Sequence, residues 1–354
     1  MENVKRLMGE LEARGVDALV STKNVRYLAG TSAASAVVIS RGKNTLICPR
    51  LEFDRAKRES FFKDVRAFSQ YRVAKRKGEN LFFGEPWQLI GQLLKQMKAR
   101  KVGLDGVKAD LLGKLKRVHR ASYLDMSKLV AEMRKVKSDL EIELIRASAR
   151  LAVKGMQRAA ELIEEGRTEL EIAAEAEYVM RKNGSEGVPF ATIVASGKNS
   201  SLPHATASKK RLRGRELIIV DLGAVYKGYA SDMTRTFAIK PTPKQLKLIE
   251  IVKQSQNAAL QMVREGARAA EIDKAARGVI GESGLESFYL HNTGHGVGLD
   301  IHEPPYLSPK SKDLLREGMV ITVEPGVYVP RVGGARWEDL IVVKSEGYLT
   351  LTKF

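Results

Sequence analysis

Leu217-Ile218-Ile219-Val220-Asp221-Leu222-Gly223 and, past the turn at Lys227-Gly228, Tyr229-Ala230-Ser231-Asp232-Met233-Thr234-Arg235-Thr236-Phe237 make up the stretch that decides the fold. Both arms are rich in apolar and β-branched residues, and Lys227-Gly228 between them is a hairpin turn. The pattern predicts paired strands over 217–226 and 229–239. Asp221 follows directly on an apolar run, so its charge requires a partner. Asp232 lies on the return strand, and the hairpin makes the two carboxylates near neighbours on facing strands, close enough to share one ion. Taken singly, each aspartate would be an ordinary turn or surface residue.

Three further positions change that reading. His295 stands in Gly294-His295-Gly296-Val297-Gly298, Glu324 in Val323-Glu324-Pro325-Gly326, and Glu338 in Trp337-Glu338-Asp339. Each lies in an apparent strand or a glycine-tight turn, where backbone can approach an ion or substrate closely. Asp221, Asp232, Glu324 and Glu338 carry four negative charges, which two divalent cations would cancel, whereas buried carboxylates without a partner are costly. Two close metal ions activate a shared water and clamp both ends of a developing charge. Four of the five histidines fall between 204 and 302. His204 follows Pro203 in a loop, and His302 opens His302-Glu303-Pro304-Pro305; each is either a structural loop residue or a substrate-facing one. His119 and His291 read as structural or surface residues.

An internal repeat frames these motifs. Glu165-Gly166 and Glu265-Gly266 are one hundred residues apart, and Glu171-Ile172 with Glu271-Ile272, Val179 with Val279, and Gly184 with Gly284 keep that offset. Each set lies in a predicted helix pair, 139–164 with 168–183 and 243–265 with 268–283, and a strand bearing a carboxylate and then a glycine follows each pair. The pattern indicates a duplication giving two similar α/β halves that offer two carboxylates each to a shared cleft. His295 belongs to the second half alone. Ahead of the repeat, helical periods over 2–14, 50–61 and 87–100 alternate with strand-like runs at Asp17–Ser21, Ala36–Ser40, Thr45–Pro49 and Lys101–Asp105. This is an α/β unit with its own core, and the domain boundary is placed near Leu129. Ser138 with Glu141 forms a capping box at the next helix start.

The chain of 354 residues is long enough for two such domains. No uncharged apolar run approaches the ~18 residues of a membrane span, and the charged N-terminal stretch lacks a signal peptide's apolar core. The lone Cys48 excludes an internal disulfide framework and reads as a buried small hydrophobe. Cytoplasmic residence is the resulting expectation. The net charge of +18 is uneven: residues 1–130 hold 27 Lys and Arg against 13 Asp and Glu, the remainder 33 against 29. A solvated, heavily charged surface is the preferred reading, since no nucleic-acid-binding signature accompanies the charge; neither a nucleic acid nor a membrane is an expected partner. The basic run Arg72–Lys77 is assigned to a loop.

The ordered motifs Phe190-Ala191-Thr192-Ile193-Val194-Ala195-Ser196-Gly197-Lys198-Asn199-Ser200, Pro203-His204, VDLG, SDMTRTF, HNTGHGVGLDIHEPP, VEPG and ARWED resemble the pita-bread metallopeptidases. Within that family they are similar to Xaa-Pro dipeptidases (prolidases) and aminopeptidases P. The resemblance implies a two-domain α/β fold: residues 1–128 as a small basic N-terminal domain serving oligomerisation or cleft closure, and 129–354 as a catalytic pita-bread domain with pseudo-twofold halves. It implies metal ligation by Asp221, Asp232, His295, Glu324 and Glu338, with Asp232 and Glu338 bridging two ions, Asp221 on one, and His295 with Glu324 on the other. It also implies that His204 and His302 bind the substrate carbonyl and stabilise the tetrahedral intermediate, and that Arg336 orders the site. Creatinase shares the fold without the full ligand set, and methionine aminopeptidases usually lack the N-terminal domain. Relatives with this layout are often homodimers. One departure stands out: Tyr306 replaces an arginine with which some prolidases grip the product carboxylate.

The expected activity is hydrolysis of the bond before proline in dipeptides or short peptides, with Glu324 as general base. Phe190, Ile193 and Tyr306 are the expected pocket lining for the proline ring. Manganese or cobalt suits the carboxylate-rich set, with zinc and iron also compatible. Two alternatives differ in kind: a non-enzymatic binding module using the basic N-terminal domain, which has no need of five intact ligands, and a C–N hydrolase acting on a non-peptide substrate.

Overall fold

The computed structural model describes residues 2–354, which separate into a unit ending at Met133 and a unit from Arg134 to Phe354. The 128/129 boundary placed from the sequence falls inside the helix Ser127–Lys135.

The first unit is built on a seven-stranded sheet ordered Leu81–Phe83, Asp64–Ser69, Lys43–Pro49, Ala36–Ser40, Ala18–Ser21, Lys101–Asp105, Ser122–Asp125. All neighbours are parallel except Ala36–Ser40, which runs antiparallel to both of its own. Val20, Val38, Ile47 and Val102 of the sheet pack with Leu89, Ile90, Leu93 and Leu94 of the helix Pro86–Gln96. Three strands escape the period-based reading. Ser122–Asp125 carries no apolar run and is largely exposed, Leu81–Phe83 is only three residues long, and Asp64–Ser69 is interrupted by charge. Cys48 is fully buried, as its apolar neighbours imply, and burial pushes its thiol up to about 12.

In the second unit the repeat is physical. The helix pair Asp139–Glu161 and Glu169–Lys182 recurs as Pro243–Gln261 and Ala269–Glu282. The first helix of each pair stops at Glu161 and Gln261, earlier than its apolar period implies, and a few residues on Gly166 and Gly266 take left-handed φ values of 94° and 78° and turn the chain. Backbone bonds repeat too: Gly166 N–H donates to Leu212 and Gly266 N–H to Leu315. Strands Ile193–Ser196, Glu216–Leu222 and Met233–Ile239 form one antiparallel sheet. Gly294–Gly296, Val320–Val323 and Asp339–Val343 form its counterpart, extended by Glu303–Leu307 and Tyr348–Thr350.

Strand alternation then decides what faces the helices. Ile218, Val220 and Leu222 pack with Ile172, Ala176 and Met180; in the second half Ile321, Val323 and Ile341 pack with Ile272, Ala276 and Ile280. The residues between them, Asp221 and Thr322, are therefore turned away from the helix layer, as is Glu324. The two sheets meet at an isolated antiparallel bridge, Thr234 with Glu338, where Glu338 N–H donates to Thr234 O at 3.1 Å.

The hairpin differs from its expected form. Strand pairing breaks at Gly223: Met233 opposes Leu222, and a separate short pair, Val225–Tyr226 with Tyr229–Ala230, closes the turn. Asp221 thus faces Thr234 rather than Asp232, which lies in the break between strand segments. A Cβ at Gly223 would stand 2.0 Å from Ser231 O, so only glycine allows the chain to cross there.

Gly294 is under the same constraint, its ideal Cβ falling 2.0 Å from Thr322 O. Gly294→Ala must push the His295 strand away from its neighbour, and we expect a loss of about 1–3 kcal/mol. Gly278→Ala, on an exposed helical face with nothing within 4 Å, should instead stabilise by about 0.5–1 kcal/mol. Urea unfolding midpoints compare the two; equal effects would contradict the packing described.

Candidate metal centre

Each motif residue reaches the cleft from a different element. Asp221 comes from the strand Glu216–Leu222, Asp232 from the break preceding Met233, and His295 from the middle of Gly294–Gly296. Glu324 follows Val320–Val323, and Glu338 lies between Gly333–Arg336 and Asp339–Val343. All five line one cleft of about 380 Å³, together with Phe190, Ile193, His204, His302, Tyr306 and Arg336. Asp232, His295 and Glu338 offer donor atoms within 4.8 Å of one another. His295 Nε2 lies 3.3 Å from Glu324 Oε1 and 3.6 Å from Asp232 Oδ2.

The electrostatics are strained. Burial, then the charges of Glu338, Asp221 and Glu324, holds the Asp232 carboxyl well above its usual range. Burial followed by Glu324 and Asp221 does the same to Glu338. Asp221 is also raised by burial, against the opposing pull of Arg336. Burial would raise Glu324 as well, yet the His295 hydrogen bond and charge, with His291 and Arg336, outweigh it and bring Glu324 to about 2. The His295 imidazole is correspondingly raised: burial opposes its charge, but Glu324 prevails. The His302 ring centroid lies 4.3 Å from that of His295, and burial with the His295 charge lowers its pKa.

Two carboxylate oxygens, Asp221 Oδ1 and Glu338 Oε1, are buried without a hydrogen-bond partner. Unpartnered anionic oxygens in a desolvated cleft, beside an imidazole and two further carboxylates, fit a cation-binding donor set. Arg336 supplies the fixed positive charge. It is 4 % exposed, donates from Nη2 to Asp221 Oδ2 at 2.5 Å, from Nη1 to Tyr328 OH at 2.5 Å, and from Nε to Thr234 Oγ1 at 3.2 Å. Thr234 Oγ1 in turn donates to Glu338 Oε2 at 2.7 Å. Behind His302, the buried Glu303 pairs with Lys137 Nζ at 2.9 Å and with Arg134.

His291 corrects the expectation of a merely structural or surface role. It lines the cleft, and its Nε2 lies 2.8 Å from Tyr328 OH. A chain of contacts thus runs His291, Tyr328, Arg336, Asp221. The available signal was the position of His291 within the same short motif as His295; Tyr328 had none, since it reads as one more apolar strand residue.

Asp232→Asn removes one of the repelling carboxylates at nearly constant volume. In cation-free protein we expect its thermal midpoint at or above that of the wild type. Added Mn²⁺ should raise the wild-type midpoint, by linkage worth about 2.7 kcal/mol at a hundredfold excess over Kd, and leave the variant nearly unmoved. Equal shifts in differential scanning fluorimetry would contradict this.

Comparison with known proteins follows the same outline. Residues 143–345 match the model of metallopeptidase family M24, and residues 3–136 match the creatinase/prolidase N-terminal domain. The Xaa-Pro dipeptidase of Pyrococcus horikoshii is 36% identical over 363 residues, covering 99% of this chain and 97% of that protein. Among solved structures, the Xaa-Pro dipeptidase from Bacillus anthracis superposes with a TM-score of 0.90 at 32% identity, covering 100% of this chain and 98% of the other. The X-Pro aminopeptidase from Thermotoga maritima gives 0.88 at 32%, covering 99% and 97%. With both of its domains matched and its length shared end to end, the chain belongs to metallopeptidase family M24.

Proposed function

We propose that this protein hydrolyses the peptide bond preceding proline in dipeptides and short peptides, using two divalent cations held by Asp221, Asp232, His295, Glu324 and Glu338. The observation that carries the reading is the convergence of these five side chains, with His204 and His302, on one cleft of a chain whose M24 relatives are named for Xaa-Pro cleavage. Asp221, Asp232, His295, Glu324 and Glu338 are the side chains that would hold the ions, with Asp232, His295 and Glu338 already offering donor atoms within 4.8 Å of one another. Mn²⁺ or Co²⁺ matches a donor set dominated by carboxylates.

The chemistry such cations supply when bound is acidification of water and withdrawal of charge from a peptide carbonyl. This chain's residues do the rest. Glu324 accepts the proton of the attacking water as general base. The water oxygen bonds to the scissile carbonyl carbon, His204 and His302 donate hydrogen bonds to the carbonyl oxygen as its charge grows, and collapse breaks the C–N bond. The proton held by Glu324 passes to the departing proline nitrogen. Arg336 keeps Asp221 and Tyr328 in place, while Phe190, Ile193 and Tyr306 form the wall for the proline ring, an imide with no N–H to recognise. The basic N-terminal unit is assigned to oligomerisation, as a homodimer, or to closure of the cleft.

The decisive assay strips the enzyme, restores Mn²⁺ or Co²⁺, and offers Xaa-Pro dipeptide alongside Xaa-Pro-Yaa tripeptide. Turnover of at least one is expected, and activity on neither sinks the proposal.

Tyr306 bears on which substrate is preferred. It lines the cleft opposite His295 in the strand register and has no positive charge to offer a product carboxylate. Tyr306→Arg should lower KM for the dipeptide about tenfold, the worth of a charge-assisted hydrogen bond near 1.5 kcal/mol, and leave the tripeptide KM unchanged. Steady-state kinetics on both substrates checks it; a parallel change would remove Tyr306 from the carboxylate subsite.

A further inference from the structure

Arg235 lies on the opposite side of its strand from Thr234 and Thr236, the two threonines that contact Glu338 and Arg336. Alternation turns its side chain out of the cleft and into the packing behind Glu338, where it is 4 % exposed. Nη1 donates to the carbonyl oxygens of Thr234 at 2.9 Å and Glu338 at 2.5 Å. Nη2 donates to Asp339 Oδ1 at 2.7 Å and to Thr352 O at 3.2 Å. The guanidinium lies over the rings of Trp337 and Phe354, at 4.9 and 5.6 Å from their centroids.

Asp339 carries the connection onward. Its Oδ1 also accepts from Thr352 Oγ1 at 2.9 Å, and its Oδ2 accepts from Gln256 Nε2 at 3.0 Å. The same Gln256 amide donates to Val323 O at 3.1 Å. Arg235 therefore grips the peptide carbonyl of Glu338 and the carboxylate of the next residue, and that carboxylate is tied through Gln256 to the residue before Glu324. Two acidic segments that enter the cleft from separate strands share one support on its far side. None of Arg235, Asp339 or Gln256 lines the cleft itself.

We infer that Arg235, acting with Asp339 and Gln256, is a positioning residue that sets the separation of Glu338 and Glu324 and thereby the affinity of the site for divalent cations. The inference rests on the reading that these two carboxylates hold the metals. Arginine is required for its geometry: a planar fork can reach three carbonyls, a carboxylate and two aromatic faces at once, and a lysine ammonium cannot. Partners that orient metal-holding side chains typically change metal affinity about 10–100-fold when removed. A purely structural role, sealing the C-terminal strand against the sheet, would lower thermal stability and leave cation affinity untouched.

The test uses full-length wild type, Arg235→Lys, Asp339→Asn and Glu338→Gln, each stripped and checked for fold by circular dichroism. Mn²⁺ affinity is measured by isothermal titration and by the electron paramagnetic resonance signal of free Mn²⁺. We expect folded Arg235→Lys and Asp339→Asn to bind Mn²⁺ about 10–100-fold more weakly than wild type. Wild-type affinity in a folded variant overturns the inference while leaving the metal-site reading standing, provided Glu338→Gln loses binding. Should Arg235→Lys fail to fold, Asp339→Asn, which keeps the side-chain volume, decides the question alone. Wild type that binds no Mn²⁺, or an unaffected Glu338→Gln, overturns the metal-site reading and this inference with it.

Discussion

Crowded negative charge in a desolvated cleft is the constraint on which the rest of the structure depends. Asp221, Asp232 and Glu338 are buried, Glu324 is half-buried, and they face one another across the meeting line of two sheets. Water is largely excluded, so each carboxylate feels its neighbours more strongly than it would at the surface. Within the protein, Arg336 and His295 are the charges that answer them, by direct contacts to Asp221 and Glu324. Two buried carboxylate oxygens still have no partner. An arrangement of this kind works against stability and is explained by what it can bind.

The duplicated architecture makes such a cluster possible. In each half a helix pair takes the apolar face of a small sheet, leaving the other face to carry acid. Offsets of one hundred residues place Ile172, Ala176 and Met180 against Ile272, Ala276 and Ile280 in equivalent positions. Joining the halves through the Thr234–Glu338 backbone bridge, backed by the Arg336–Asp221 ion pair and the Thr234 hydroxyl on Glu338, brings the two acidic faces together. The assembly can therefore hold like charges close without relying on their own energetics.

Alternation along the central strands also separates two jobs done by arginine. Arg336 points inward and meets Asp221, Tyr328 and Thr234, while Arg235 points backward and meets the carbonyl of Glu338 and the Asp339 carboxylate. Both are almost wholly buried, and each is paired, as a buried guanidinium must be. The histidines divide in a similar way. His295 and His302 stack edge to face within the cleft, while His291 reaches Tyr328 and through it the Arg336 guanidinium.

Much of this was legible in the chain because it is written locally. The fold class, the one-hundred-residue repeat and the five acidic and imidazole positions each announce themselves within a few residues, through apolar periods, capping boxes and glycine-tight turns. Nearby signals failed where the decisive contact is distant. Tyr328 meets His291 across 37 positions, and nothing around either residue signals the pairing. Asp221 faces Thr234 because Gly223 breaks the hairpin, a consequence of crowding against Ser231. The sequence by itself determined which side chains carry charge and on which face of each strand they lie, since a period of two leaves no choice. Only the tertiary structure decided which of those faces meet, because register, strand breaks and the join between halves depend on steric contacts between segments far apart in the chain.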